Sequence, residues 1–250
     1  MKMNNYWLHS LFGFVFLTLI ACSGSSEQSA EAEETPAETT PVADADGWVT
    51  MFTTDTKDGW TQLNGQANYE IKDGVVIGTT KEGEPNSFLA TEKMYGDFIL
   101  EYEVLVDTAL NSGVQIRSHQ YEKDSTVMIP NREGELIERN QKKGRVHGYQ
   151  VEIDPSPRSY SGGIYDEARR GWLQDLSENE AARNAFKRDD WNKFRVEAMG
   201  DTIRTYVNGV QAVEVVDDMD ASGFIALQVH SIRTADTLQV RWRNIRIKEM

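Results

Sequence analysis

From Trp48 onward, apolar and polar residues alternate with a period of two, the spacing of strands that bury one face. The pattern predicts strands over 98–106, 112–118, 149–154, 194–199, 202–207, 224–230 and 238–247. Turn-forming residues punctuate them: Lys72-Asp73-Gly74 before Val75-Val76-Ile77, Gly200-Asp201, and Asn208-Gly209 between Tyr206-Val207 and Val210-Gln211. One helix is expected, over 177–187, where Ser177-Glu178-Asn179-Glu180 has a capping-box pattern. Some ten strands without alternating helices exclude an α/β fold and predict an all-β sandwich or jelly roll over 47–250. No repeat of 20–50 residues is visible.

Strand parity separates two kinds of side chain. Val114 and Ile116 alternate with Gln115, Arg117 and His119. Tyr149, Val151 and Ile153 alternate with Gln150, Glu152 and Asp154, and Ile225, Leu227 and Val229 with Ala226, Gln228 and His230. An ordinary wet sheet face tends towards Lys, Glu and Thr. These positions hold Gln, Arg, His, Glu and Asp, which suit recognition of a polar ligand in a cleft.

The segment 161–172 adds Tyr165, Arg169, Arg170 and Trp172 as candidate walls. Aromatic faces stack on the C–H faces of sugar rings, and sugar hydroxyls need polar partners, so the segment suits a carbohydrate; a core Trp172 beside a surface Arg pair is the alternative. The long polar stretch 120–145 reads as a lid or a disordered loop.

The N-terminal part has a different character. Lys2 is followed by an apolar run that ends in Leu19-Ile20-Ala21-Cys22, with Cys22 the only cysteine. The run is short for a stable span and reads as a signal peptide over 1–21. The tetrad resembles the lipobox of bacterial lipoproteins, which implies lipidation at Cys22 and a membrane anchor. Ser23 after it favours the outer membrane by the habit of that class. Residues 23–46 have no aromatic residue and no Lys or Arg, so 22–46 reads as a disordered acidic tether.

The net charge of −14 disfavours nucleic acid as a partner. Seven of the 40 acidic residues lie in the tether and one base, Lys2, lies in the leader, leaving about −8 for 47–250. That is an ordinary surface charge, so the acidity carries no functional information.

Several segments in order carry a family resemblance: Asn111-Ser112-Gly113-Val114-Gln115-Ile116-Arg117-Ser118, Gly148-Tyr149-Gln150-Val151-Glu152-Ile153-Asp154, Gly162-Gly163-Ile164-Tyr165-Asp166, Trp191-Asn192 and Val207-Asn208-Gly209. Together they resemble the domain first called DUF1080, now the 3-keto-disaccharide hydrolase family, whose members are also described as 3-keto-glycoside lyases or hydratases. The resemblance runs from about 48 to 248. It implies a concanavalin-like jelly-roll β-sandwich whose concave sheet binds carbohydrate.

A 3-keto sugar has an acidified C2–H. Removing that proton, expelling the C1 aglycone and adding water to the enone would cleave the glycoside. The chemistry needs a base near C2, a positive group at the enolate oxygen and an acid at the leaving oxygen. The candidate catalytic residues are Glu152, His230, Arg117 and Asp154. Glu152 or His230 suits the base, and Arg117, or a cation held by His and carboxylates, the positive group; Tyr165, Asp154 or His119 suits the acid. Gln115, His119, Gln150, Tyr165, Arg169, Arg170, Trp172 and Gln228 are candidate substrate contacts. No cofactor is required by these residues. A divalent metal is compatible with His119, His147 and His230 but lacks the closely spaced His pairs of a strong zinc signal.

A retaining glucanase would carry a second Glu after Glu152-Ile153-Asp154. Here Pro155-Ser156-Pro157 follows and ends the strand. That departure disfavours the retaining mechanism, and the family resemblance implies cleavage of 3-keto-glycosides or disaccharides, by elimination and hydration or by hydrolysis, with a sugar 3-oxidoreductase as functional partner. A non-catalytic carbohydrate-binding module on a cell-surface tether is the alternative.

Overall fold

A computed structural model describes residues 43–130 and 135–250. The expected signal peptide, Cys22 and nearly all of the tether lie outside them. Described residues up to Met250 belong to one compact unit.

The strands in chain order are β1 (Val49–Thr50), β2 (Trp60–Asn64), β3 (Asn68–Lys72), β4 (Val75–Thr79), β5 (Ser87–Thr91), β6 (Phe98–Val106), β7 (Ser112–Gln120), β8 (Ser125–Pro130), β9 (Leu136–Gln141), β10 (Val146–Ile153), β11 (Ile164–Glu167) and β12 (Gly171–Gln174). After the helix α1 (Glu180–Ala185) come β13 (Asn192–Met199), β14 (Thr202–Val207), β15 (Val210–Val216), β16 (Phe224–Val229) and β17 (Gln239–Glu249).

They form two antiparallel sheets. One runs β15-β14-β13-β6-β17-β4-β3 with β1 added beside β17, and the other runs β12-β11-β10-β7-β16-β5-β2. Towards the middle of each sheet the neighbours are non-consecutive, β13-β6-β17-β4 in one and β10-β7-β16-β5 in the other, so the chain crosses repeatedly between sheets, as a jelly roll does. The alternation in the sequence explains the sandwich. Phe98, Leu100, Tyr102, Val104, Phe194, Val196, Trp242 and Ile247 from the first sheet meet Leu89, Val114, Ile116, Tyr149, Val151, Ile225 and Leu227 from the second in one core. Cutting one of these large side chains back to Ala costs about 2–5 kcal/mol, because the cavity relaxes only partly.

The Asn208-Gly209 turn joins β14 to β15 with φ of +50° and +85°, the backbone that Asn-Gly favours in a tight hairpin. Two expectations are corrected. The helix is shorter than 177–187, and its cap is Asn179, whose Oδ1 accepts from the Ala182 N–H at 3.1 Å. Ser177 instead donates its N–H and hydroxyl to Asp175, a local turn that competes with capping. The stretch 120–145 is not a disordered loop where it is described: β8 and β9 pair as a separate two-stranded hairpin.

Candidate functional site

The site lies on the outer face of the seven-stranded sheet, where β10, β7 and β16 run side by side. Gln150 pairs with Gln115 across β10 and β7, and both are buried. Gln115 Nε2 donates to Gln150 Oε1 at 3.0 Å, and Gln228 Nε2 from β16 donates to the same oxygen at 2.8 Å. Gln150 Nε2 is thereby turned towards Glu152 Oε2, at 3.0 Å. The three amides form a chain of fixed polarity that ends on a carboxylate. Gly113 makes room for it, since a Cβ there would stand 2.5 Å from the Gln150 side chain. Gln228 Oε1 is buried without a hydrogen-bond partner beneath the cleft wall.

Glu152 is 5% exposed, and Asn111 Nδ2 donates to its Oε1 at 2.7 Å. Burial pushes its carboxyl up to about 7, against the lowering effect of the Asn111 and Gln150 hydrogen bonds. Asp154, just past the end of β10, behaves oppositely. Burial raises it, but the Ser156 and Tyr160 N–H groups and the Arg158 guanidinium outweigh this and hold it below its ordinary value. Arg158 joins the two acids: its Nε donates to Asp154 at 2.8 Å and its Nη2 stands 3.5 Å from Glu152.

The other wall comes from β11 and β12. Tyr165 and Glu167 share one face of β11, and the Trp172 ring stands edge-on to Tyr165, with centroids 5.3 Å apart. Arg158 lies over the Tyr160 and Trp172 rings, at 4.9 and 5.4 Å. Glu167 is buried and ion-paired with Arg145; burial raises its carboxyl, with Arg145, His230 and Asn86 opposing. His230, after β16, has Nδ1 2.9 Å from the Ser231 carbonyl. These side chains, with Asn111, Gln150, Glu152 and Gln228, enclose an open cleft of about 380 Å³. That is within the range of small-ligand sites. Carboxylates, amides, a guanidinium and an imidazole beside a Trp–Tyr corner can grip hydroxyls, stack a ring and move a proton.

The cleft thus gathers Gln150, Glu152, Tyr165, Trp172, Gln228 and His230, with Gln115 directly beneath and Asp154 behind Arg158. Four expected residues lie elsewhere. Arg117 is the extra residue of a β-bulge: Tyr149 pairs with Ile116 and His147 with His119 on one side, while Ala226 pairs with Gln115 and Phe224 with Ser118 on the other. Its φ is +44°, and its 1% exposed guanidinium donates to the carbonyls of Gly96 and Gly200 and to Asp97. Gly223 permits the bulge, because a Cβ there would stand 2.3 Å from the Arg117 carbonyl carbon. The bulge also shifts the parity beyond it. Ser118 now donates to Gln115 Oε1 at 2.8 Å, and His119 turns to Asp220, at 3.8 Å, beside His147.

Arg169 and Arg170 are also away from the cleft. Both pair with Asp166, which alternates with Tyr165 and Glu167 on β11 and is fully buried. Arg169 continues to Asp220 and Arg170 to Asp217, in the segment that follows β15 of the other sheet. These arginines tie the sheets together.

Three cleft residues were not singled out in the sequence: Asn111, Arg158 and Glu167. Glu167 was findable, since parity from Tyr165 reaches it once 164–167 is read as a strand. Arg158 follows two prolines in a loop without periodicity, so only the fold brings it back onto Glu152. Among the described residues, no three His, Cys, Asp or Glu side chains are grouped to hold a metal ion. No helix among them is long and apolar enough to cross a membrane.

Two antiparallel sheets in a jelly roll, with a polar, aromatic-walled cleft on one of them, define the class by fold: a concanavalin-like β-sandwich. Residues 47–248 match the family model of the 3-keto-alpha-glucoside-1,2-lyase-like domain, and the chain belongs to that family. Among solved structures it is similar to a candidate glycosyl hydrolase from Parabacteroides distasonis ATCC 8503. That match has a TM-score of 0.51 and 15% identity, and covers 82% of this chain and 95% of that one. It is also similar to a Bacillus subtilis protein of unknown function with a galectin-like fold, with a TM-score of 0.50 and 9% identity over 77% and 90% of the two chains. At these identities the likeness concerns the fold alone. A search of the curated proteins finds no match.

Proposed function

We propose that the cleft binds a 3-keto-glycoside and that Glu152 is the base that opens its cleavage. The observation that carries this reading is a carboxyl that is nearly closed to solvent, fixed on both oxygens by Asn111 and Gln150, and raised to about 7. A general base is most effective when its pKa lies near the working pH. Glu152 takes the C2 proton, and the C2–H electrons pass into the enolate of the C3 ketone. Arg158, already shared with Asp154, is the cation for the enolate oxygen, the role that the sequence suggested for Arg117. The enolate collapses, the C1–O bond breaks, and the aglycone oxygen takes a proton from an acid. Water then adds to the enone. His230 is the proton donor in this reading, and Trp172 with Tyr165 is the platform for the ring.

A sugar 3-oxidoreductase has to supply the ketone. In the same reading, lipidated Cys22 holds the domain to the outer membrane through the acidic tether. The test is to incubate the purified protein with 3-keto-glucosides and their unoxidised parents, with and without EDTA. Aglycone released from the keto sugars alone supports the reading, and the EDTA arm reports on a divalent metal. Saturable binding without turnover would instead make the domain a carbohydrate-binding module.

A further inference from the structure

We propose that the stem joining β7 to β10 is the specificity-determining element of the cleft, a fixed strap that restricts it to a sugar at the end of a chain. This rests on the catalytic reading above for turnover alone. β10 and β2 stand four places apart in the seven-stranded sheet, about 19 Å at about 4.8 Å per strand. Yet the Val146 N–H donates to Asn64 Oδ1, at the end of β2, at 3.1 Å. On its hairpin side of the Arg117 bulge, β10 therefore leaves the plane of the sheet and lies over its outer face. Val146 is fully buried there against Phe88, Ala90, Phe224 and Ala226, a cluster separate from the main core. Ala226 pairs with Gln115 and with Ala90, so this apolar patch starts directly beside the amides of the cleft.

The strap has two plies and a second anchor. Gln120 Nε2 donates to the Gly144 carbonyl at 2.7 Å, and the Tyr121 N–H donates to the Arg145 carbonyl at 3.0 Å. Tyr121 Oη and Gln141 Nε2 both donate to the Ala168 carbonyl, at 3.2 and 3.1 Å, in the turn between β11 and β12. Between the anchors at Asn64 and Ala168, Arg145 pairs with Glu167 of the cleft.

A sugar inside a chain needs two exits, one for each neighbour. Along the strands, the strap closes the side beyond Gln115 and Ala226. Across the strands, the Trp172–Tyr165 corner closes the side of β11 and β12. Each line through the cleft is thus blocked at one end, and its volume of about 380 Å³ is near the lower limit of small-ligand sites. A keto ring with an aglycone on C1 and no other substituent fits, whereas a ring glycosylated on O4 as well meets a wall. The strap acts by excluding the wrong substrate.

The test compares a nitrophenyl 3-keto-glucoside with the same compound carrying a second glucose on O4 of the keto ring. The wild type should favour the first in kcat/KM by at least about 100-fold, the scale of a misplacement of about 1 Å at the reacting atoms. Equal rates would overturn the proposal. Asn64→Gly removes the acceptor and suits the φ of +67° at that position. Val146→Asp sets a charge in the apolar patch. The double variant should release the strap, seen as faster amide exchange over 144–147, and lower the preference at least about tenfold. Faster exchange with an unchanged preference would also overturn it. If the double variant does not fold, Asn64→Gly alone decides: the preference should fall about threefold, the scale of one hydrogen bond, and an unchanged value overturns the proposal. If the wild type releases nitrophenol from neither compound, the catalytic reading falls, and calorimetry with the two unoxidised sugars reads the same preference as affinities. Tighter binding of the unsubstituted glucoside then supports the strap, and equal binding or none overturns it.

Discussion

Gln150 Nε2 donates to Glu152 Oε2 across 3.0 Å, between two residues that stand two apart on β10 and share one face of the sheet. The bond is possible only because Gln150 Oε1 is already occupied by Gln115 and Gln228, which turns its amide nitrogen towards the acid. Glu152→Gln removes the proton acceptor and sets a second amide against the donors of Asn111 and Gln150. Turnover of a 3-keto-glucoside should fall at least about 100-fold, the usual scale of a lost general base. In the wild type, kcat/KM should rise as pH passes through about 7, where Glu152 loses its proton.

The same group makes stability depend on pH in a defined direction. Folded Glu152 keeps its proton to about 7, whereas the unfolded chain releases it near the ordinary glutamate value of 4.5. Between those values the folded state binds more protons, so its contribution falls as pH rises, by about 3 kcal/mol at most. Denaturant midpoints of wild type and Glu152→Gln, measured from acid to neutral pH, should therefore converge in acid. Towards neutrality the variant should become relatively more stable.

Arg117 should matter for stability and not for chemistry. Its three donors satisfy two carbonyls and Asp97, and its positive φ is held by that network. Arg117→Met should cost about 2–3 kcal/mol in urea unfolding, since it removes three hydrogen bonds of a buried guanidinium, one of them to a carboxylate. The folded fraction should keep near-wild-type kcat, which an arginine that stabilised the enolate would not allow.

Trp172 stands edge-on to both Tyr160 and Tyr165, which fixes its ring as a wall. Trp172→Ala should raise KM by roughly three- to tenfold, the scale of one aromatic stacking contact. Initial-rate kinetics with two aglycones would show whether the loss follows the sugar or the leaving group.

Cys22→Ser tests the proposed anchor. Wild-type protein expressed with its leader should sediment with membranes, and the variant should appear in the soluble fraction. A variant that still sediments would remove the lipid from the account.

Alternation along 98–106, 149–154 and 224–229 was sufficient to determine an all-β sandwich and the polar face of β10 and β16, because side-chain direction in a strand is a local, two-residue property. It placed Gln150, Glu152 and Gln228 together correctly. It misplaced Arg117 and His119, because one inserted residue at the bulge reverses parity beyond it, and the bulge depends on Gly148 and Gly223 from neighbouring strands. Arg169 and Arg170 have no periodic signal, and Asp166, Asp217 and Asp220 draw them to the junction of the sheets. Arg158 and Glu167 reach the cleft from a loop and a short strand. Which charges meet, and so which carboxyl stays protonated near neutrality, is decided by burial and by partners that only the folded chain brings within reach.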